Sequence, residues 1–209
     1  MSERRWTQFF LCALACGALA GCALLGKNEP PSRRYFTPES SAPGGGLVAA
    51  PVNSTPRAEG LRLRLGRISA WSHLRERMVT RTSSRELSYS EDRRWTERPD
   101  IYLQRALGHA LFEERGLTQV ISGSAPTLEV ELVAFEETEN PRRALLQALV
   151  VLHDERIALL QETVTVEEPL TPAKDADQAV AVVEALSRSL QTAVTRISDR
   201  VVGRLAAPR

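Results

Sequence analysis

The chain is poor in most of the features that make a function easy to read. It has three cysteines and three histidines in 209 residues, aromatics make up 5% of it, and its formal net charge is only +1. Cys12 and Cys16 both lie in an apolar N-terminal run, which leaves Cys22 alone in the remainder. A disulfide within one processed chain is therefore excluded, and stability must come from a packed core. The near-neutral charge gives no global argument for a nucleic-acid partner or for an anionic surface. His73, His109 and His153 stand apart, with no second ligand at helical or hairpin spacing, so no metal site is expected. There is no Gly-x-Ser-x-Gly elbow. Gly44–Gly46 has no strand before it and cannot be read as a phosphate-binding loop. Neither a catalytic residue nor a cofactor is expected.

The N-terminus is more informative. Arg4 and Arg5 precede an apolar run from Phe9 to Ala20, which ends in Leu19-Ala20-Gly21-Cys22. A charged start, a short apolar middle and a small-residue cleavage site make a secretory signal, too short to cross a bilayer as a helix. Cysteine directly after Leu-Ala-Gly resembles a bacterial lipobox. That resemblance implies cleavage after Gly21 and acyl chains on Cys22, where two or more chains make a stable anchor. The plainer alternative is a secreted protein with an incidental cysteine. Loss of residues 1–21 removes Arg4, Arg5 and Glu3, a net of +1, and leaves a formally neutral chain.

Residues 22–59 hold six prolines and Gly44-Gly45-Gly46 without an apolar period, the composition of a flexible tether. A coil of that length spans roughly 30–40 Å. Tyr35-Phe36 is the exception within it, a pair of aromatics suited to docking on the domain. The domain itself is expected at residues 60–207, a usual size for one self-sufficient core.

Within it, Leu61, Leu63 and Leu65 alternate with Arg62, Arg64 and Gly66, which predicts a strand over Leu61–Ile68. After a connection through Trp71 and His73, short strands are expected at Arg77–Arg81 and Glu86–Tyr89, joined as a hairpin across Thr82-Ser83-Ser84-Arg85. Pro99 and Asp100 suit a first helical turn and Gly116 its stop, with Leu103, Leu107, Ala110 and Leu111 on one face. Strands follow at Leu117–Ile121, Thr127–Phe135, Ala144–His153 and Ile157–Val166, the last two as a hairpin around Asp154-Glu155-Arg156. From about Asp175–Asp177 a long helix closes the chain, with Val180, Val183, Leu186, Leu190, Val194, Ile197, Val201 and Leu205 as its apolar stripe. The predicted fold is α/β, a largely antiparallel sheet with two helices packed on it, the C-terminal helix long.

Charge is unevenly distributed. Residues 62–98 carry ten arginines against five acids, a net of +5, whereas residues 129–168 carry ten acids against three arginines, a net of −7. One reading is intramolecular, with oppositely charged strands side by side. The other makes Arg75, Arg77, Arg81, Arg93 and Arg94 a contact for an acidic partner or for lipid headgroups, arginine being a good bidentate phosphate ligand.

These segments, in this order, resemble the ABC-type transport auxiliary lipoproteins, the PqiC-like family. Arg34-Tyr35-Phe36-Thr37 is similar to a Tyr-Tyr-Thr-Leu segment soon after the lipidated cysteine. The stretch from His73 to Arg81 resembles the family's Tyr-Leu-x-Arg-x-x-Ile-Val-x-Arg region, and Ser90 to Trp95 its acidic, basic and Trp run. Ser187-Arg188-Ser189-Leu190 resembles the closing helix. The sequence departs from the pattern at His73, which stands for Tyr, and at Pro38, which stands for Leu. The resemblance implies a non-enzymatic periplasmic lipoprotein that works with an ABC permease and ATPase and an MCE-domain protein to move lipid between two membranes. It implies Cys22 as the lipid attachment, and Leu74, Arg77, Val79, Arg81 and Trp95 as a shared structural or contact region, with burial the simpler role for Trp95. Ala23, where Asp would signal inner-membrane retention, favours an outer-membrane anchor facing the periplasm. Two rivals stand beside this: a module that holds a lipid tail under the closing helix, and a self-assembling envelope scaffold.

Overall fold

The alternation that begins at Thr127 becomes the spine of the fold. The computed structural model describes residues 32–39, 58, 60–170 and 177–207. The signal-like segment, Cys22 and most of the proposed tether lie outside the described residues. The elements are β1 (Arg34–Phe36), β2 (Arg62–Ala70), β3 (Arg77–Ser83), β4 (Glu86–Trp95), α1 (Pro99–Gly108), β5 (Thr118–Gln119), β6 (Thr127–Glu139), β7 (Arg142–His153), β8 (Ala158–Pro169) and α2 (Gln178–Ala206). The eight strands form one mixed sheet. Its longest ladders, β6 with β7 and β7 with β8, are antiparallel, as is the β3/β4 hairpin.

β6 pairs with β7 along one edge and shares its other edge between two strands. β2 lies parallel to it beside Thr127–Leu132, and β3 lies parallel to it at Glu137 and Thr138. β5 extends β2, and β1 extends β4, both in parallel. Two elements differ in extent from their sequence signal. The strand expected over Leu117–Ile121 shrinks to Thr118–Gln119, because Ile121 is 90% exposed and has nothing to pack on. β4 runs on past Tyr89 to Trp95, since Trp95 is drawn into the core at 1% exposure.

β1 arises from the tether composition. Phe36 O accepts from Thr96 N at 2.9 Å, the Thr37 and Thr96 hydroxyls are 2.8 Å apart, and Pro38 is buried. Arg34 adds an ion pair to Asp177, the N-cap of α2, whose carboxylate also accepts from Ala179 N at 2.9 Å. The backbone amide of Ala179, then Arg34, holds the Asp177 carboxyl below its usual range.

α1 continues into a π-helical stretch, His109–Glu114, and ends at Gly116 with φ +71°. That left-handed conformation suits glycine, so the stop signal has its physical cause. The wider turn delivers Arg115 into the interior at 7% exposure, where its Nη2 donates to Asp199 of α2 at 2.8 Å. α2 spans 29 residues, about 43 Å at 1.5 Å per residue, and crosses the sheet. Its buried stripe runs from Val182 and Leu186 through Leu190, Val194 and Ile197 to Val201. Val180 is 38% exposed, because the first turn is rotated to bury Ala179 and Val182 instead. Each such fully buried apolar side chain contributes about 1.5–3 kcal/mol, so this stripe dominates the attachment of the helix.

Gly66 sits at the irregularity of β2 against β6, between Leu65 and Ile68. A Cβ there would lie 2.6 Å from Thr127 Cγ2 and 3.1 Å from the Leu128 carbonyl oxygen. Gly66→Ala is therefore expected to destabilise by about 1–3 kcal/mol in thermal unfolding. Gly203→Ala, in α2 with open space around it, is expected to stabilise by up to about 1 kcal/mol. Because the Asp177 carboxyl titrates below its usual value, its contribution is complete above the unfolded pKa of about 3.9 and is lost as pH falls through the folded one. Asp177→Asn should melt earlier than wild type at neutral pH, and the gap should close below about pH 4.

Candidate functional site

The arginine-rich strands owe their arrangement to a large bulge in β4. Arg77 pairs with Arg94 and Val79 with Tyr89, so two steps of β3 face five of β4. Ser90 organises the extra residues: its hydroxyl donates to Asp92 Oδ1 at 2.9 Å and accepts from Arg93 N at 3.0 Å and Arg93 Nε at 3.1 Å. The Ser90 hydroxyl holds the half-buried Asp92 carboxyl below its usual range. Beyond the bulge, alternation sends Arg93 and Trp95 to the core face and Arg94 to the opposite face.

Trp95 is a packing residue. It lies 5.2 Å from the Phe135 ring and 6.2 Å from Tyr102, the latter edge-on at 75°. The Tyr102 hydroxyl accepts from Glu97 N and shares a bond with Thr96 Oγ1, both at 2.8 Å. Leu74 and Val79, which share the motif region, are also buried, at 2% and 4% exposure.

The five candidate arginines divide by their partners. Arg81 Nε donates to Glu136 Oε1 at 2.5 Å, and Glu136 is 0% exposed. The other oxygen, Glu136 Oε2, accepts no hydrogen bond and faces His73 Nε2 at 3.8 Å, which is also unpartnered. Arg93 reaches Glu137 at 3.7 Å, where Arg142 also binds at 2.8 Å. For Arg81 and Arg93, then, the basic and acidic segments complement each other within the domain. Arg75, which is exposed, donates from Nε to Ser72 O at 3.1 Å. Arg77 and Arg94 have no acid in ion-pair range among the described residues, and Arg94 Nε is shielded without an acceptor.

The sequence did not single out Glu136 or Glu137, and it marked Asp177 only as the region where the closing helix begins, which the structure shows as its N-cap. Which acid meets which arginine follows from the β3–β6 register. Among the described residues no three His, Cys, Asp or Glu side chains converge on a metal position. His109 bonds Glu113 at 2.8 Å, and His153 bonds the Asp154 carbonyl oxygen at 3.0 Å. Clefts of ≈ 500 and ≈ 480 Å³ open at the rims of the sheet, the first beside Arg62, Pro126 and Leu205, the second beside Ser83, Thr138 and Leu145. The apolar face of α2 is instead occupied by the core itself.

Arg81→Glu is expected to cost about 3–5 kcal/mol in folding stability, since it sets a second carboxylate beside one with no access to water. Arg77→Glu should leave the melting temperature unchanged or raised, because it relieves the like charge of Arg94. Paired thermal melts of the two variants check this.

No curated protein matches the chain at a significant level. Among solved structures, protein XCC0632 from Xanthomonas campestris, assigned to DUF330, shares the fold at a TM-score of 0.63 and 17% identity, over 83% of this chain and 94% of that one. An uncharacterized protein shares it at 0.61 and 12% identity, over 81% and 99%. The hypothetical protein CT253 from Chlamydia trachomatis does so at 0.50 and 11% identity, over 71% and 99%. A family model described as the ABC-type transport auxiliary lipoprotein component matches residues 47–198, a span that takes in β2 to β8 and most of α2. The chain belongs to the family of ABC-type transport auxiliary lipoprotein components.

Proposed function

We propose that this protein is a non-enzymatic lipoprotein, anchored through acyl chains on Cys22 to the outer membrane and facing the periplasm, that serves an MCE-associated lipid transport system. Its partners are an MCE-domain protein and the ABC permease and ATPase subunits. The observation that carries this reading is the family match across the folded domain, residues 47–198. The Leu-Ala-Gly-Cys sequence supports the anchor, and Ala23 after Cys22 supports the outer membrane.

On this reading residues 1–21 are removed as a signal, 22–59 join anchor to domain, and 60–207 form the domain. Within the joining segment, Arg34–Phe36 is bound to β4, which shortens the free leash. The interior of the domain favours an adaptor over a carrier of lipid tails. Val182, Leu186, Leu190 and Ile197 of α2 are each at most 1% exposed and packed into the common core, so a tail under the helix would have to displace them.

The test is a pull-down from crosslinked envelope with the native protein against Cys22→Ala. MCE-domain or permease subunits are expected with the native form and in much lower yield with the variant. Recovery of the protein alone, or of unrelated envelope proteins only, would overturn the transport reading in favour of a scaffold. Intact-mass analysis of the native protein should show the added acyl mass on Cys22, which Cys22→Ala lacks.

A further inference from the structure

On the core face of the sheet edge, Arg34 and Arg93 stand opposite each other, and the carboxylates of Asp177 and Glu137 balance them. On the outer face the same register places Tyr35, Arg94 and Arg77 side by side across β1, β4 and β3. Neighbouring strands are about 5 Å apart, so the two arginines start from adjacent positions of the sheet, and neither has an acid in ion-pair range among the described residues. Directly opposed like charges destabilise a sheet. Arg94 Nε adds a donor hidden from solvent and without an acceptor. Tyr35 is 59% exposed beside them, an aromatic with a polar tip of the kind that sits at a headgroup boundary.

The position of this row matters as much as its charge. The described residues of this segment begin at Ser32, three before Tyr35, and Ser32 lies ten residue steps after Cys22. Fully extended, those ten steps reach about 35 Å at most. The row thus lies partly on β1, the described strand nearest Cys22 in sequence, within reach of a bilayer surface rich in phosphate.

We infer that Tyr35, Arg77 and Arg94 form a headgroup contact that seats the domain on the membrane, the two arginines binding lipid phosphate and Tyr35 resting among the headgroups. This rests on the anchored reading proposed above and specifies what the domain does at the end of its leash. Phosphate is the matching ligand because two adjacent forks present several donors to one set of acceptor oxygens.

The experiment uses the processed chain carrying Cys22→Ser, so that binding does not depend on acylation, and vesicles of phosphatidylcholine with or without phosphatidylglycerol. Sedimentation with the phosphatidylglycerol vesicles is expected, weakening with salt, and little with phosphatidylcholine alone. Arg77→Gln with Arg94→Gln should lower binding roughly thirty-fold, about five-fold per arginine, while the melting temperature stays level or rises. Arg62→Gln with Arg67→Gln, an equal loss of exposed charge on β2, should leave binding within about two-fold on the same scale. Wild-type binding too weak to detect, equal binding by the Arg77/Arg94 pair, or equal loss in both pairs would overturn the contact. Loss of acidic protein partners with no effect on vesicles would also overturn it. A missing acyl mass on native Cys22 would instead defeat the anchored reading, a result the vesicle assay cannot mimic.

Discussion

Strand β6 must satisfy three neighbours at once, and the rest of the domain follows from that constraint. A strand has only two hydrogen-bonding edges, and an unmet backbone group in the interior costs as much as a lost hydrogen bond. β7 takes one edge for its whole length. The other edge is divided end to end between β2 and β3, so the chain between those strands must turn aside through Trp71–Glu76. That turn buries Leu74 and brings His73 beside Glu136. An irregularity between Leu132 and Ala134 changes which residues face the core. Before it Leu128, Val130 and Leu132 fill the interior, and after it Phe135 does, against Trp95, which in turn meets Tyr102 edge-on.

The same irregularity accounts for the two acids at the end of β6. Glu136 and Glu137 are both buried, on opposite faces, at 0% and 4% exposure. Charges that deep are tolerated only when paired. Arg81 answers one, and Arg93 with Arg142 the other. Removing a partner from such a pair is costly because the remaining charge stays in low dielectric. Two of the five arginines that seemed available to a partner are therefore committed to the fold. The bulge at Ser90 makes this division possible, since it sets Arg93 toward Glu137 and leaves Arg94 on the other face.

β1 links this sheet to the membrane question. Three residues from a proline-rich stretch complete the edge of the sheet and reach Asp177 at the start of α2. The first strand among the described residues thereby reaches the start of the last helix. The part of residues 22–59 with a fixed place on the domain therefore includes Arg34–Phe36, which composition alone assigned to a tether.

Much of this was legible from residue patterns alone. Period-two alternation in Leu61–Leu65 and Thr127–Leu132, and period-3.6 spacing in Leu186–Val201, mark elements whose burial is local and repetitive. Gly116 marked a helix end because only glycine sits readily at φ +71° there. The excess of arginine in residues 62–98 and of acid in 129–168 was visible too, but left open whether the two segments answered each other or a partner. Tertiary structure decided what depends on register between distant strands. It paired Arg81 and Arg93 with buried acids of the domain and left Arg77 beside Arg94, choices set by bulges near Ser90 and Ala134 that shift a face without leaving a compositional trace. It made a strand of Arg34–Phe36, whose two aromatics suggested docking but whose three residues carry too little apolar period to be read as a strand until an edge is waiting for them.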